Sequence, residues 1–111
     1  MEEKKWPATR REILEGAAKN VCGDREEDYG SPENSFDSIA SFWKAYLWEK
    51  YGMYVPLCPT DIGLMMALFK ISRITKGRFK ADSFIDGCGY MACAGELAAR
   101  EERDEKGEVH T

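Results

Sequence analysis

The sequence predicts an all-α protein, a four-helix bundle, and three observations carry that reading. Apolar residues recur every three or four positions in four separate stretches. Each stretch is bounded by a capping residue, a proline or a glycine. The one segment that could extend, residues 51–57 (YGMYVPL), contains Pro56 and has no partner segment with which to form a sheet.

The elements follow in chain order. Residues 1–8 (MEEKKWPA) read as a flexible, charged start, leaving 9–103 as the helical domain. Thr9 and Glu12 have the spacing of a capping box, in which each side chain satisfies the other residue's free N–H. Ile13, Leu14, Ala17, Ala18 and Val21 then predict a helix over 10–22 that stops at Gly23. Residues 23–31 (GDREEDYGS) are a polar loop. Ser31-Pro32 opens a second helix over 32–51, with Phe36, Ile39, Ala40, Trp43, Tyr46 and Leu47 on one stripe. Thr60 is the expected cap of a third helix over 61–76. Ile62, Leu64, Met65, Met66, Leu68, Phe69, Ile71 and Ile74 leave that helix almost no polar face, which predicts a central, buried one. The fourth helix is expected from Asp82 to Arg103, with 104–111 as a flexible charged tail. Its small residues, Gly87, Cys88, Gly89, Ala92, Cys93, Ala94 and Gly95, suit close packing within the chain or against a second subunit. A chain this short gains core by pairing, so a homo-oligomer is expected.

Length and composition bound the function. The 111 residues fit one domain. Folding can bury roughly two-thirds of the chain's surface, from about 18,000 Å² to about 6,200 Å². Hydrophobic content of 43% and aromatic content of 12% exclude a disordered chain. The net charge of −4 argues against duplex nucleic acid as a partner, because phosphate neutralisation drives such binding. No apolar run reaches the ~20 residues that cross a bilayer. Cys22, Cys58, Cys88 and Cys93 form no C-x-x-C pair, and the only histidine is His110, which argues against structural zinc. Reduced thiols among apolar residues and no signal peptide point to the cytoplasm.

Three groups of residues stand out against this apolar background. Lys70 and Arg73 share a face of the third helix. Either their stems snorkel along apolar surface or their heads meet an anion, arginine forking onto phosphate. Asp82 and Asp86 share a face of the fourth helix, with Tyr90 one turn on. They either pair with Lys70 and Arg73 or hold a Mg²⁺ that bridges to substrate phosphate. The loop into the second helix gathers Arg25, Tyr29, Gly30 and Asn34, where free N–H groups favour an anion, Tyr29 can stack on a base and Gly30 admits close approach. No histidine is placed as a general base, and no phosphate-cradling glycine motif is present. Hydrolysis, if it occurs, has to run through a metal and carboxylates.

Four segments carry a resemblance: Gly23-Asp24-Arg25; Asp28-Tyr29-Gly30-Ser31-Pro32-Glu33-Asn34-Ser35-Phe36; Leu68-Phe69-Lys70-Ile71-Ser72-Arg73-Ile74; and Asp82-Ser83-Phe84-Ile85-Asp86-Gly87-Cys88-Gly89-Tyr90. Over residues 10–98 the chain resembles a family of short phage and bacterial proteins of unknown function. More distantly, it is similar to the MazG-like all-α nucleotide pyrophosphohydrolases. Those enzymes hold Mg²⁺ with E-x-x-E and E-x-x-D on two helices. Here Asp86 matches the last acid, Ser83 stands where the preceding acid belongs, and the third helix carries Lys70 and Arg73 in place of E-x-x-E.

The leading expectation is therefore a phage-type protein that binds, and sequesters, a nucleotide or nucleotide-derived signal by its phosphate, with no cofactor. Lys70, Arg73 and Arg25 meet phosphate; Tyr29, Asn34 and Tyr90 address base or sugar; Asp82 and Asp86 orient the cations or accept from a ribose hydroxyl. The alternative is a divergent Mg²⁺-dependent pyrophosphohydrolase, with Asp82 and Asp86 as ligands helped by Glu26, Glu27 or Asp28. A third reading is a helical interaction module that docks through Trp6, Trp48 and Tyr51.

Overall fold

The computed structural model describes residues 9–23 and 32–108, which form four helices and no strand. They are α1 (Arg10–Cys22), α2 (Pro32–Tyr51), α3 (Pro59–Lys76) and α4 (Ala81–Glu108).

Local chemistry sets most of the boundaries. At the start of α1 the Thr9 hydroxyl accepts from the Glu12 N–H at 3.1 Å, and the Glu12 carboxylate accepts from the Thr9 N–H at 3.3 Å. This is the expected capping box. At the other end of α1, a Cβ on Gly23 would lie 2.8 Å from the Lys19 carbonyl oxygen, so glycine is required there. Helix α2 closes on Gly52, whose φ of +66° suits glycine. The Gly52 N–H donates to the Trp48 carbonyl at 2.9 Å and the Met53 N–H to the Leu47 carbonyl at 3.4 Å, closing the helix on a left-handed glycine.

Two boundaries differ from expectation. Helix α3 begins at Pro59 with Cys58 as its cap, so Thr60 is not the cap. The proline ring presets the first helical φ. The Asp61 carboxylate accepts from the Cys58 N–H at 3.0 Å. Thr60 instead donates its hydroxyl to the Glu101 carboxylate at 3.0 Å and ties α3 to α4. Helix α4 runs past Arg103 to Glu108, so residues 104–108 of the expected tail are helical.

The helices pack around a hairpin. The α3–α4 contact is the most extensive; α1 lies on α4, and α2 lies mainly on α3. The core gathers Phe36 and Ala40 from α2, Ile62 from α3, and Cys93 and Leu97 from α4. Gly63 lets the helices meet, since a Cβ there would stand 3.0 Å from the Ala94 methyl and 3.2 Å from the Phe36 ring. On α1, Gly16 plays a similar part against Ile85 of α4.

The four helices do not close into a ring, because α1 touches α2 and α3 weakly at most. Helix α3 is therefore not buried on all sides, contrary to the sequence reading. Leu68 is 62% exposed, and Leu64 and Ile71 are exposed with it.

Candidate functional site

The third and fourth helices do bring part of the expected constellation together. Lys70 Nζ lies 2.9 Å from Asp86 Oδ2. Their side chains are 17% and 35% exposed, so the pair is sheltered on the Lys70 side and reaches solvent on the Asp86 side. A short connection between antiparallel helices makes this contact. Gly87 lies beside the Lys70 stem, where a Cβ would make an ordinary contact at 3.8 Å. Of the two alternatives for Asp86, the ion pair is the one observed.

The other expected residues separate. Arg73 is exposed, and its guanidinium carbon lies 5.8 Å from the centre of the Phe69 ring. Lys70 Nζ lies 5.9 Å from the centre of the same ring, so Phe69 joins the two cations through cation–π attraction. Asp82 is exposed in the first turn of α4. Tyr90 faces the core, its ring 6.2 Å from that of Phe36, so its aromatic face is used in packing. Asn34 is exposed near the start of α2. Arg25, Tyr29 and Gly30 lie outside the described residues, as do Glu26, Glu27 and Asp28.

Among the described residues no three His, Cys, Asp or Glu side chains converge as metal ligands would. Asp86 already faces an ammonium group.

A hollow of about 250 Å³ lies at the α3–α4 turn. Four cations line it: Arg73 and Lys76 from the end of α3, and Arg78 and Lys80 from the connection. No carboxylate is among its lining residues. Phe79 and Phe84 form an aromatic wall, with ring centres 5.9 Å apart and planes inclined by 32°. Ser83, buried at 7% exposure, sits at the base in the first turn of α4, and its N–H donates to the Lys80 carbonyl at 3.1 Å. The N-terminal end of the long α4 helix thus abuts the hollow, and its dipole adds to the positive field.

Of this group the sequence reading singled out only Arg73. It placed Lys76 at the end of the third helix without a role and passed over Arg78, Phe79 and Lys80 as connection. The available signal was the alternation Lys76-Gly77-Arg78-Phe79-Lys80, cations interleaved with an aromatic beside a helix start.

Known proteins place the chain in a family without adding a chemistry. No solved structure matches. The chain is 33% identical over 81 residues to the Gene 55 protein of Mycobacterium phage D29, covering 73% of this chain and 50% of that protein. It is 34% identical over 96 residues to the Gene 55 protein of Mycobacterium phage L5, covering 86% of this chain and 58% of that protein. The chain thus spans little more than half the length of these phage relatives. The model of one family matches residues 12–98, most of the described fold, and the chain belongs to that family, the domain of unknown function DUF6378.

Proposed function

We propose that the protein binds a small phosphorylated ligand, a nucleotide above all, at the α3–α4 turn. One observation carries this reading: four cations and two phenyl rings surround a hollow that no acid lines. In a chain of net charge −4, such a concentration of positive charge is a local feature with no counterpart in the overall balance. Arg73 and Arg78 offer planar forks for phosphate oxygens. Lys76 and Lys80 supply compact charges. Phe79 and Phe84 offer faces on which a base can stack. The hollow is smaller than the ~300–1,000 Å³ pockets that enclose drug-sized ligands, so a nucleotide would lie partly outside it.

Lys70 and Asp86 take a supporting part in this reading. The carboxylate holds the ammonium, and both cations flank Phe69, which fixes the end of α3 from which Arg73 projects. Phosphate contact thus moves from Lys70 toward the turn.

Calorimetric titration with nucleoside mono-, di-, tri- and cyclic phosphates tests the proposal. Binding is expected to weaken as salt is raised, because exposed charges are screened. The double change Arg73→Ala, Arg78→Ala is expected to weaken it at least tenfold, about 1.4 kcal/mol. Absence of heat with every nucleotide, from folded protein at low salt, removes the reading. Release of pyrophosphate from a triphosphate with Mg²⁺, abolished by Asp86→Asn, transfers it to hydrolysis.

A further inference from the structure

We infer that a second copy of this chain covers the face of the α3–α4 hairpin that points away from α1 and α2. Successive helical residues turn by about 100°. On α3, Ile62 and Met66 point to the core that α2 covers, while Gly63 and Lys70 meet α4. Helical phase then puts Leu64, Leu68 and Ile71 on the opposite side, and all three are exposed. On α4, Gly89 meets Val21 of α1 and Cys93 and Leu97 enter the core. The same phase puts Met91, Gly95 and Ala98 on the far side, and these are exposed too. The two stripes lie side by side on one hairpin and make one apolar surface.

The core explains why this surface matters. Among the described residues nine apolar side chains are buried, five of them alanine, and Ile62 alone among large side chains is fully buried. Among the described residues, the leucines of α3 are spent outward rather than inward. Exposed apolar area on this scale marks an interface.

Area and shape favour a second copy as the occupant. Helix α3 rises about 27 Å and two packed helices span about 20 Å, a footprint of roughly 540 Å². Its accessible area, larger than the footprint, comes close to the roughly 800 Å² that each partner gives to a stable interface. The surface is also self-complementary. Leu64, Leu68 and Ile71 protrude on one helix, and Gly95 and Ala98 are recessed on the other. A Cβ on Gly95 would meet nothing within 4 Å. A two-fold axis along the hairpin lays α3 of each copy over α4 of the other, an isologous contact in which Leu64 comes near the level of Gly95, since Gly63 stands beside Ala94. None of these five residues is charged, so two chains of net charge −4 can approach without facing like charges at the contact.

Sedimentation velocity of the full chain tests this. The expected particle has twice the 12.6 kDa chain mass at micromolar concentration. Leu68→Glu is expected to weaken association at least a hundredfold and to leave single chains. Gly95→Leu gives a second test that does not depend on a destabilised fold, because the isolated chain has open space there and leucine favours helix over glycine. It too is expected to run as a single chain with its helical signal intact. Phe42→Glu, an exposed site on α2, is expected to keep the doubled mass. A wild-type chain that sediments at 12.6 kDa at 100-fold higher concentration overturns the inference, and so does a folded Leu68→Glu or Gly95→Leu that keeps the doubled mass.

Discussion

Phe36→Ala is expected to cost about 3–5 kcal/mol, the range for removing a buried aromatic ring. Phe36 is the side chain by which α2 enters the core. It is 6% exposed, packs near Tyr90 with ring centres 6.2 Å apart, and sits over Gly63. The other core residue of α2 is Ala40, which has a single methyl to offer. Ile39 and Trp43 of α2 are only partly buried against the core, so truncation removes its one fully inserted large side chain and leaves a void beside Tyr90 and Gly63. A domain of this length has roughly 5–15 kcal/mol of total stability, so the variant loses about a fifth of it or more. Urea unfolding followed by circular dichroism measures the effect. A midpoint within experimental error of the wild type would show that α2 is held by something other than this ring.

Gly63→Leu is expected to be nearly as damaging, at about 3 kcal/mol, for the opposite reason. Here the site lacks room. The first added carbon would already stand 3.0 Å from the Ala94 methyl and 3.3 Å from the Ala94 Cα. The Cα belongs to the backbone of α4 and cannot rotate aside, so α3 and α4 must separate. Gly63→Ala sets a smaller clash against a helix-propensity gain of up to about 1 kcal/mol, and should be much milder. Thermal melts of the two variants side by side separate crowding from propensity. Equal melting temperatures would mean that the helices can part at little cost.

The helices were legible because their signals are local. Thr9 and Glu12 announce α1, and glycines close α1, α2 and α3, since these effects act within one turn of chain. The start of α3 was misplaced because cysteine is a poor marker of a cap. The hydroxyl of Thr60 fits the usual pattern, yet the proline before it and Asp61 after it define the boundary. The reach of α4 past Arg103 was missed because a charged run looks the same whether it is helical or not.

The site was legible in part for a related reason. An ion pair between the acids of the fourth helix and the cations of the third was one of two readings open in the sequence, because charges that interrupt apolar helices need partners and a short turn brings the helices together. Tyr90 shared the face of Asp86 by spacing, but spacing does not say that Phe36 of another helix takes up its ring. The cations of the turn were overlooked for want of any periodicity. Their convergence exists only after the hairpin folds. The outward face of α3 was the hardest to foresee. A helix apolar all round reads as buried, and the sequence does not say whether the same chain supplies the cover.

The tie between Thr60 and Glu101 marks where α3 ends alongside its antiparallel neighbour. Helix α4, about 42 Å long, overshoots a companion of about 27 Å. Beyond Glu101 the chain remains helical, and residues 102–105 are all exposed. Unzipping from that end uncovers none of the buried core, which lies at Cys93, Ala94 and Leu97, so it proceeds without the rest of the domain. Deuterium uptake is therefore expected to fall steeply from the carboxyl end of α4 inward: within seconds for 102–108, and only through global opening near Cys93 and Leu97. Uniform protection along the whole helix would mean that something outside the chain supports its far end.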